Sequence, residues 1–189
     1  MILIEDILKN YIPKQKPRII MFGTMVTSHA RRIDGVEPSD VFYYHNNVNH
    51  FWRILNFTFE GDIPFELKSI KQKKAFLEKH RIGIFNLVGQ IEATQAEMKD
   101  SSDDLLFKCH KASRVEFKSL SAREKKVFEN TPLYFTCRYK AGIKRLIEGY
   151  LDTNNLDPNH LNRIHFLPSP TRCNPWNRSR EWLKEIDHL

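Results

Sequence analysis

The sequence has only three cysteines, and no two of them form a CxxC pair. They are Cys109, Cys137 and Cys173, an odd number spread widely along the chain. A zinc ribbon or an iron–sulfur cluster needs closely spaced thiolates, so neither is expected. We therefore expect free thiols in a reducing cytoplasm, no bound metal and no cofactor.

Long apolar runs and linker segments are also missing. No stretch approaches the roughly 20 apolar residues that span a bilayer. The first residues, Met1 to Asp6, carry acids where a signal peptide would carry positive charge. The sequence contains no internal repeat, low-complexity tract or clean linker. These absences predict one domain over residues 1–189, located in the cytoplasm and without membrane contacts. A monomer is also expected.

The composition is that of a globular protein with excess positive charge. Hydrophobic residues make up 41% of the 189 residues, which is enough to build a core. There are 30 Lys and Arg against 23 Asp and Glu, so the formal net charge is +7. A basic chain favours polyanionic partners, and nucleic acid is the commonest of these, although many basic proteins bind none.

Compact apolar segments alternate with segments of helical periodicity. The strand-like segments are 18–22, 82–88, 132–137 and 165–170. The helical segments are 4–11, 51–55, 70–79, a start near 101–104, 141–151 and 176–189. Such alternation predicts an α/β protein with a parallel sheet covered on both faces. Ligands of these sheets bind beyond the carboxyl ends of the strands, where loops 23–48, 87–100 and 168–175 should meet.

The loop after the first strand begins with the residues GTMVTS at positions 23–28. Its glycine allows backbone amides to approach a ligand closely. The loop lacks the GxxxxGK[ST] pattern, so it is not a nucleotide-binding P-loop. Taken alone, it is more often a simple turn at the end of a strand.

The second motif is the aromatic and amide-rich loop FYYHNNVNHFW at positions 42–52. Rings that stack and amides that read hydrogen-bonding edges suit a base flipped out of DNA. A packed aromatic loop capped by asparagine explains the same composition equally well.

The third motif is the proline-rich loop LPSPTRCNP at positions 167–175. Its prolines stiffen the backbone, and its Ser, Thr and Arg side chains can bind phosphates. A rigid turn leading into the last helix is the simpler alternative.

Together, the three motifs resemble those of the uracil-DNA glycosylase superfamily, in the same order and each after a strand. NHFW at 49–52 matches the middle motif of that family, and LPSP at 167–170 matches the late one. The resemblance spans about residues 18 to 188. It implies a three-layer αβα sandwich with a central, mainly parallel four-stranded sheet. It also implies a DNA glycosylase of base excision repair that hydrolyses the N-glycosidic bond of a flipped deaminated base, hypoxanthine or uracil.

The first motif departs from the family pattern. Where the mismatch-specific branch has an asparagine that positions water, this chain has Met25, and Val26 replaces the usual proline. The hypoxanthine-type branch also lacks that polar residue and is taken to use the asparagine before the F-W pair, which is Asn49 here. The chain therefore resembles the hypoxanthine-DNA glycosylase and mismatch-specific uracil-DNA glycosylase branches most. A catalytically weak or inactive lesion-binding member of the same fold is the alternative.

The resemblance implies a role for each of several residues in a monofunctional hydrolase. Asn49 is the expected catalytic residue. The expected base-binding residues are Gly23, Thr24, Met25, Tyr43, Tyr44 and Asn86. The expected DNA-binding residues are Ser28, Ser169, Thr171 and Arg172. Asn86 is equally well interpreted as a loop-capping amide. Hydrolysis of free nucleosides or nucleotides is a third functional alternative.

Overall fold

The chain builds two sheets and six α-helices in the part that the structure describes. The structure is a computed structural model that describes residues 1–6, 8–25, 42–44, 49–61, 67–97, 102–137 and 141–186. Its elements in chain order are β1 (Ile2–Glu5), β2 (Ile19–Gly23), α1 (Phe51–Glu60), α2 (Ile70–His80), β3 (Ile82–Asn86), β4 (Val88–Ala93), α3 (Ser102–Lys111), β5 (Val115–Phe117), α4 (Ala122–Glu129), β6 (Leu133–Phe135), α5 (Ala141–Thr153), a 3₁₀ helix (Pro158–Arg163), β7 (Ile164–Phe166) and α6 (Pro175–Ile186).

Four short apolar strands form the central parallel sheet, in the order β3-β2-β6-β7. Every residue of β2 and β3 is buried, as expected for strands covered on both faces. All four predicted strand segments are confirmed. Gly23 and Asn86 are register partners at the carboxyl ends of β2 and β3. The sheet therefore brings the ends of two predicted loops together.

Alternate residues of β2 face two separate apolar cores. Ile20 and Phe22 belong to a core that includes residues of α3 and α5. Ile19 and Met21 belong to a second core that includes residues of α1, α2 and α6. Because helices cover both faces of the sheet, the predicted three-layer αβα arrangement is confirmed. The helices predicted at 51–55, 70–79, 141–151 and 176–189 are present, with the bounds given above.

Two of the helices begin with a capping box. Ser69 and Gln72 exchange side-chain and backbone hydrogen bonds at the start of α2. Ser121 and Glu124 do the same at the start of α4. Each box satisfies amide groups that the first helical turn would otherwise leave without partners. The local sequence therefore fixes where these two helices begin.

A second, antiparallel sheet of order β1-β4-β5 was not predicted. The helix expected at 4–11 is wrong, because its first residues form β1 and pair with β4 in the register Ile4 to Ile91. A short apolar segment fits either structure, and pairing with β4 gives its backbone groups partners that an isolated turn of helix lacks. The charged region 92–126 contains the end of β4, β5 and two helices.

Within the described residues, no helix is both long enough and apolar enough to cross a membrane.

Candidate functional site

Gly23, Asn86 and Tyr44 meet at the carboxyl edge of the parallel sheet. A Cβ atom added to Gly23 would lie 2.6 Å from Oδ1 of Asn86 and 3.0 Å from the hydroxyl of Tyr44. Side chains of these two residues therefore reach over the backbone of Gly23, and only glycine leaves room for them. Three residues predicted to bind a base are thus neighbours in the fold.

Asn86 is buried and held by residues of the N-terminal segment. Its side chain is almost fully enclosed, and the residue is 2% exposed. Its Nδ2 donates to Oδ2 of Asp6 at 2.7 Å, and its backbone N–H donates to Oδ1 of Asn10 at 3.3 Å. Sequence analysis missed Asp6 and Asn10. Both are polar residues within an otherwise apolar segment. The wrong prediction of a helix over 4–11 assigned them to that helix and gave them no contact with the site.

Tyr44 is fixed both by its hydroxyl and by its ring. Its hydroxyl lies 2.8 Å from Oγ1 of Thr136 and 3.4 Å from the carbonyl of Phe22, which also accepts from Oγ1 of Thr136 at 2.9 Å. Its ring stacks on Phe51 with centroids 3.8 Å apart. Burial raises the pKa of Tyr44 well above its ordinary value, so the phenol is neutral near pH 7. The backbone of Tyr44 has a φ of 54°, which is unusual for a residue with a side chain.

Tyr43 lies in the core. It is 1% exposed, its hydroxyl donates to the carbonyl of Lys9, and its ring packs edge-on against Phe42. Its backbone carbonyl accepts a hydrogen bond from Nε1 of Trp52 at 2.7 Å. Burial raises the pKa of the Tyr43 phenol. Stacking of Tyr43 on a base would need this packing to open, whereas Tyr44 already adjoins Gly23.

Asn49 joins the second motif to the third. It forms an antiparallel bridge with Thr171, and the N–H of His50 donates to the carbonyl of Pro170 at 2.9 Å. The side-chain Oδ1 of Asn49 accepts from the N–H of Phe51 at 3.0 Å, at the first residue of α1. The predicted catalytic residue therefore also has a structural role at the start of a helix.

The loop at 167–175 is anchored to the core at one point and is exposed to solvent at Thr171 and Arg172. Nε1 of the buried Trp182 donates to the carbonyl of Pro168 at 2.9 Å. The N–H of Thr171 donates to Oγ of Ser169 at 3.3 Å, and Thr171 and Arg172 are exposed. The three residues predicted to contact DNA therefore form one short segment beside Asn49. Ser28, the fourth, lies outside the described residues.

Thr24 and Met25 continue the chain from β2. The carbonyls of Gly23 and Thr24 accept from the N–H groups of Leu87 and Val88, at 3.1 and 2.9 Å. The side chain of Met25 packs against the core beneath the sheet. A thioether in an apolar contact offers no strong hydrogen bond to a water molecule.

A cavity of about 410 Å³ lies away from these residues. It is lined by Lys14, Lys16, Arg123 and Lys126, together with residues that precede β2 and β6. It therefore sits at the amino edge of the parallel sheet, opposite Gly23. Among the side chains that the structure describes, no three His, Cys, Asp or Glu residues are grouped as metal ligands.

The fold is similar to that of a solved protein. The solution NMR structure of a protein from Methanosarcina acetivorans, described as a "putative Uracil DNA glycosylase", matches with a TM-score of 0.53 and 18% sequence identity. The match covers 98% of this chain and 98% of that chain. At this identity the likeness establishes a shared α/β fold. No protein-family model and no curated protein matches the sequence.

Proposed function

We propose that this chain is a monofunctional DNA glycosylase of the uracil-DNA glycosylase superfamily, closest to its hypoxanthine-type and mismatch-specific branches. Its substrate would be a deaminated base, hypoxanthine or uracil, flipped out of DNA, and its reaction would begin base excision repair. The proposal rests above all on the meeting of Gly23, Asn86 and Tyr44 at the carboxyl edge of the sheet. The similarity of fold supports it. We also propose that it acts in the cytoplasm as a single-domain monomer.

The reaction breaks the bond between the sugar C1′ and a base nitrogen, and the oxygen of water bonds to C1′. The base leaves with the electron pair of the broken bond and gains a proton, while water loses one. Positive charge develops on the sugar and negative charge on the base. We propose that backbone amides near Gly23 and Thr24 donate to the departing base, and that Oδ1 of Asn86 accepts from an N–H group on its pairing edge. Tyr44 adds an aromatic ring and a neutral hydroxyl whose oxygen can accept a hydrogen bond beside them.

Asn49 is proposed to orient the water. A carbonyl oxygen has two lone pairs, so Oδ1 can accept from both the N–H of Phe51 and a water molecule. The bridge to Thr171 brings Asn49 beside the half-buried Ser169 and the exposed Thr171 and Arg172. Those side chains are suited to phosphate contacts, which would set the flipped nucleotide against Asn49.

The test is release of a base from an oligonucleotide that contains one hypoxanthine or one uracil, read by alkaline strand cleavage. Wild-type protein is expected to release at least one of them. Asn49→Ala is expected to lower the rate by about 100-fold, the size of effect expected when a reacting group is misplaced by about 1 Å. It should also cost about 0.5–1.5 kcal/mol of stability, because the N–H of Phe51 loses its acceptor.

Asn49→Asp is the matched control, because a carboxylate still accepts from Phe51 and preserves the start of α1. If this variant is stable but inactive, the Nδ2 group of Asn49 is the one that activity requires. If it is stable and active, the side-chain oxygen is sufficient to orient the water. Wild-type protein that releases neither base, with Asn49→Ala behaving identically, would contradict the glycosylase proposal.

A second candidate function is lesion binding without catalysis. The observation that favours it is Met25, whose side chain packs against the core where a related branch has a water-holding group. Tight binding to lesion DNA that weakens with salt, without release of a base, would support this function. Hydrolysis of free nucleosides or nucleotides would be separated from both by adding duplex DNA, which should compete only if DNA is the ligand.

A further inference from the structure

Asp6 is a buried carboxylate directly behind Asn86. Its side chain is 0% exposed. Its Oδ1 accepts from the N–H of Leu8 at 2.9 Å, and its Oδ2 accepts from Nδ2 of Asn86 at 2.7 Å. Nζ of Lys118 lies 3.3 Å from the same Oδ2. A buried charge is costly unless it is paired and hydrogen-bonded, and all of these contacts offset that cost.

The Asp6 carboxylate determines the orientation of the side-chain amide of Asn86. An ionised carboxylate only accepts hydrogen bonds, so it can face the Nδ2 group but not the Oδ1 atom. The oxygen is consequently turned to the opposite side, toward Gly23, where an added Cβ would meet it at 2.6 Å. Asn10 holds the backbone N–H of Asn86 from the same N-terminal segment. Asp6 and Asn10 thus hold the side chain and the backbone of Asn86 at the end of β3.

The orientation of this amide has a consequence for the choice of base. Uracil and hypoxanthine both carry an N–H donor in the pairing edge, whereas cytosine and adenine have an unprotonated ring nitrogen at the same position. A carbonyl oxygen accepts from the first pair and repels the second. An amide rotated by half a turn would present its Nδ2 group and reverse the preference.

We propose that Asp6 is a positioning residue that turns the Asn86 oxygen toward the base, and so selects bases with an N–H donor on the pairing edge. This inference rests on the proposed function, because it assigns the base pocket to the Gly23 edge. Asp6 itself does not touch the substrate, since its side chain is enclosed by Asn86, Leu8 and Lys118.

The experiment measures binding preference rather than catalysis. Single-stranded oligonucleotides differ only in one 2′-fluorinated nucleotide, which resists glycosidic cleavage and carries uracil, cytosine, hypoxanthine or adenine. Wild-type protein should bind the uracil strand more tightly than the cytosine strand, and the hypoxanthine strand more tightly than the adenine strand. The paired variant Asp6→Leu with Lys118→Met replaces both charges of the buried pair by apolar side chains, a change that folded proteins often tolerate. In this variant we expect the preference ratios to fall by about 10-fold, as for one hydrogen bond to a charged group.

Asp6→Asn is the conservative variant. Its amide oxygen can still accept from Nδ2 of Asn86, so it should recover most of the lost preference. A second readout is the side-chain amide of Asn86 in NMR spectra of the free protein, identified by its absence in Asn86→Asp. Hydrogen exchange of this amide should be slow in the wild type and in Asp6→Asn, and fast in the paired variant.

The outcomes separate this inference from the glycosylase proposal. Unchanged preference ratios in a folded paired variant would overturn the role of Asp6, as would a wild-type protein with no preference. A wild type that discriminates between the bases but never releases one from an unmodified strand would contradict the glycosylase proposal alone. In that case the positioning role would be supported in a lesion-binding protein.

Discussion

Replacing Gly23 by alanine is expected to abolish most of the base-release activity while the protein remains folded. The new Cβ would lie 2.6 Å from Oδ1 of Asn86 and 3.0 Å from the Tyr44 hydroxyl. Neither neighbour can move freely, because Asp6 holds Asn86 and Thr136 holds Tyr44. A misplacement of about 1 Å at a reacting site lowers rates by roughly 100-fold. Overpacking of this kind should cost about 1–3 kcal/mol of stability, measured by urea unfolding.

Gly89→Ala is the matched control for this substitution. Gly89 lies on β4, and the nearest atom to an added Cβ there is the carbonyl oxygen of Glu116 at 3.5 Å, an ordinary contact. Its activity should equal that of the wild type. Full activity in Gly23→Ala would mean that the base does not bind over the end of β2.

The largest effect on stability is expected from Trp182→Ala. Trp182 is fully buried, contacts Phe51 with ring centroids 5.9 Å apart, and bonds the carbonyl of Pro168. Removing the indole leaves a cavity between α1 and α6 and frees the loop at 167–175. We expect a loss of about 3–5 kcal/mol in the free energy of unfolding. Activity should fall as well, because the same loop carries Thr171, the bridge partner of Asn49.

Two further tryptophan variants make this prediction specific. Trp182→Phe keeps most of the packing and loses the bond to Pro168, so it should cost only about 1 kcal/mol. Trp176→Ala removes a partly exposed ring that contacts Phe57, and should cost clearly less than Trp182→Ala. Equal losses in the two alanine variants would show that Trp182 does not anchor the core.

The central sheet was predictable from sequence because its strands are continuous apolar runs that both faces of the sheet bury. β2 and β3 illustrate this, since no residue in either is exposed. The antiparallel sheet was not predictable in the same way. In β1 only Ile4 is buried, and the alternation in β5 is confined to three residues. Such short and half-exposed strands give a weak periodic signal, and pairing with distant residues decides their structure.

The site was predictable only in outline. Parallel strands end at the same edge, so the proximity of Gly23 and Asn86 followed from the strand prediction alone. Tyr43 is buried in the core, whereas Tyr44 lies beside Gly23. Tyr44 also has a left-handed backbone, which no local sequence pattern predicts. The contact of Asp6 with Asn86 joins residues 80 apart in sequence, and no local sequence pattern predicts a contact over that distance.

The bridge between Asn49 and Thr171 also bears on how the protein is synthesised. The second motif leaves the ribosome long before the third, and contacts between such distant segments form late because closing the intervening loop costs entropy. Gly23 and Asn86 lie on strands that leave the ribosome well before α6, which carries the anchor of Pro168 on Trp182. The pairing of Asn49 with Thr171 therefore waits until the third motif has been translated.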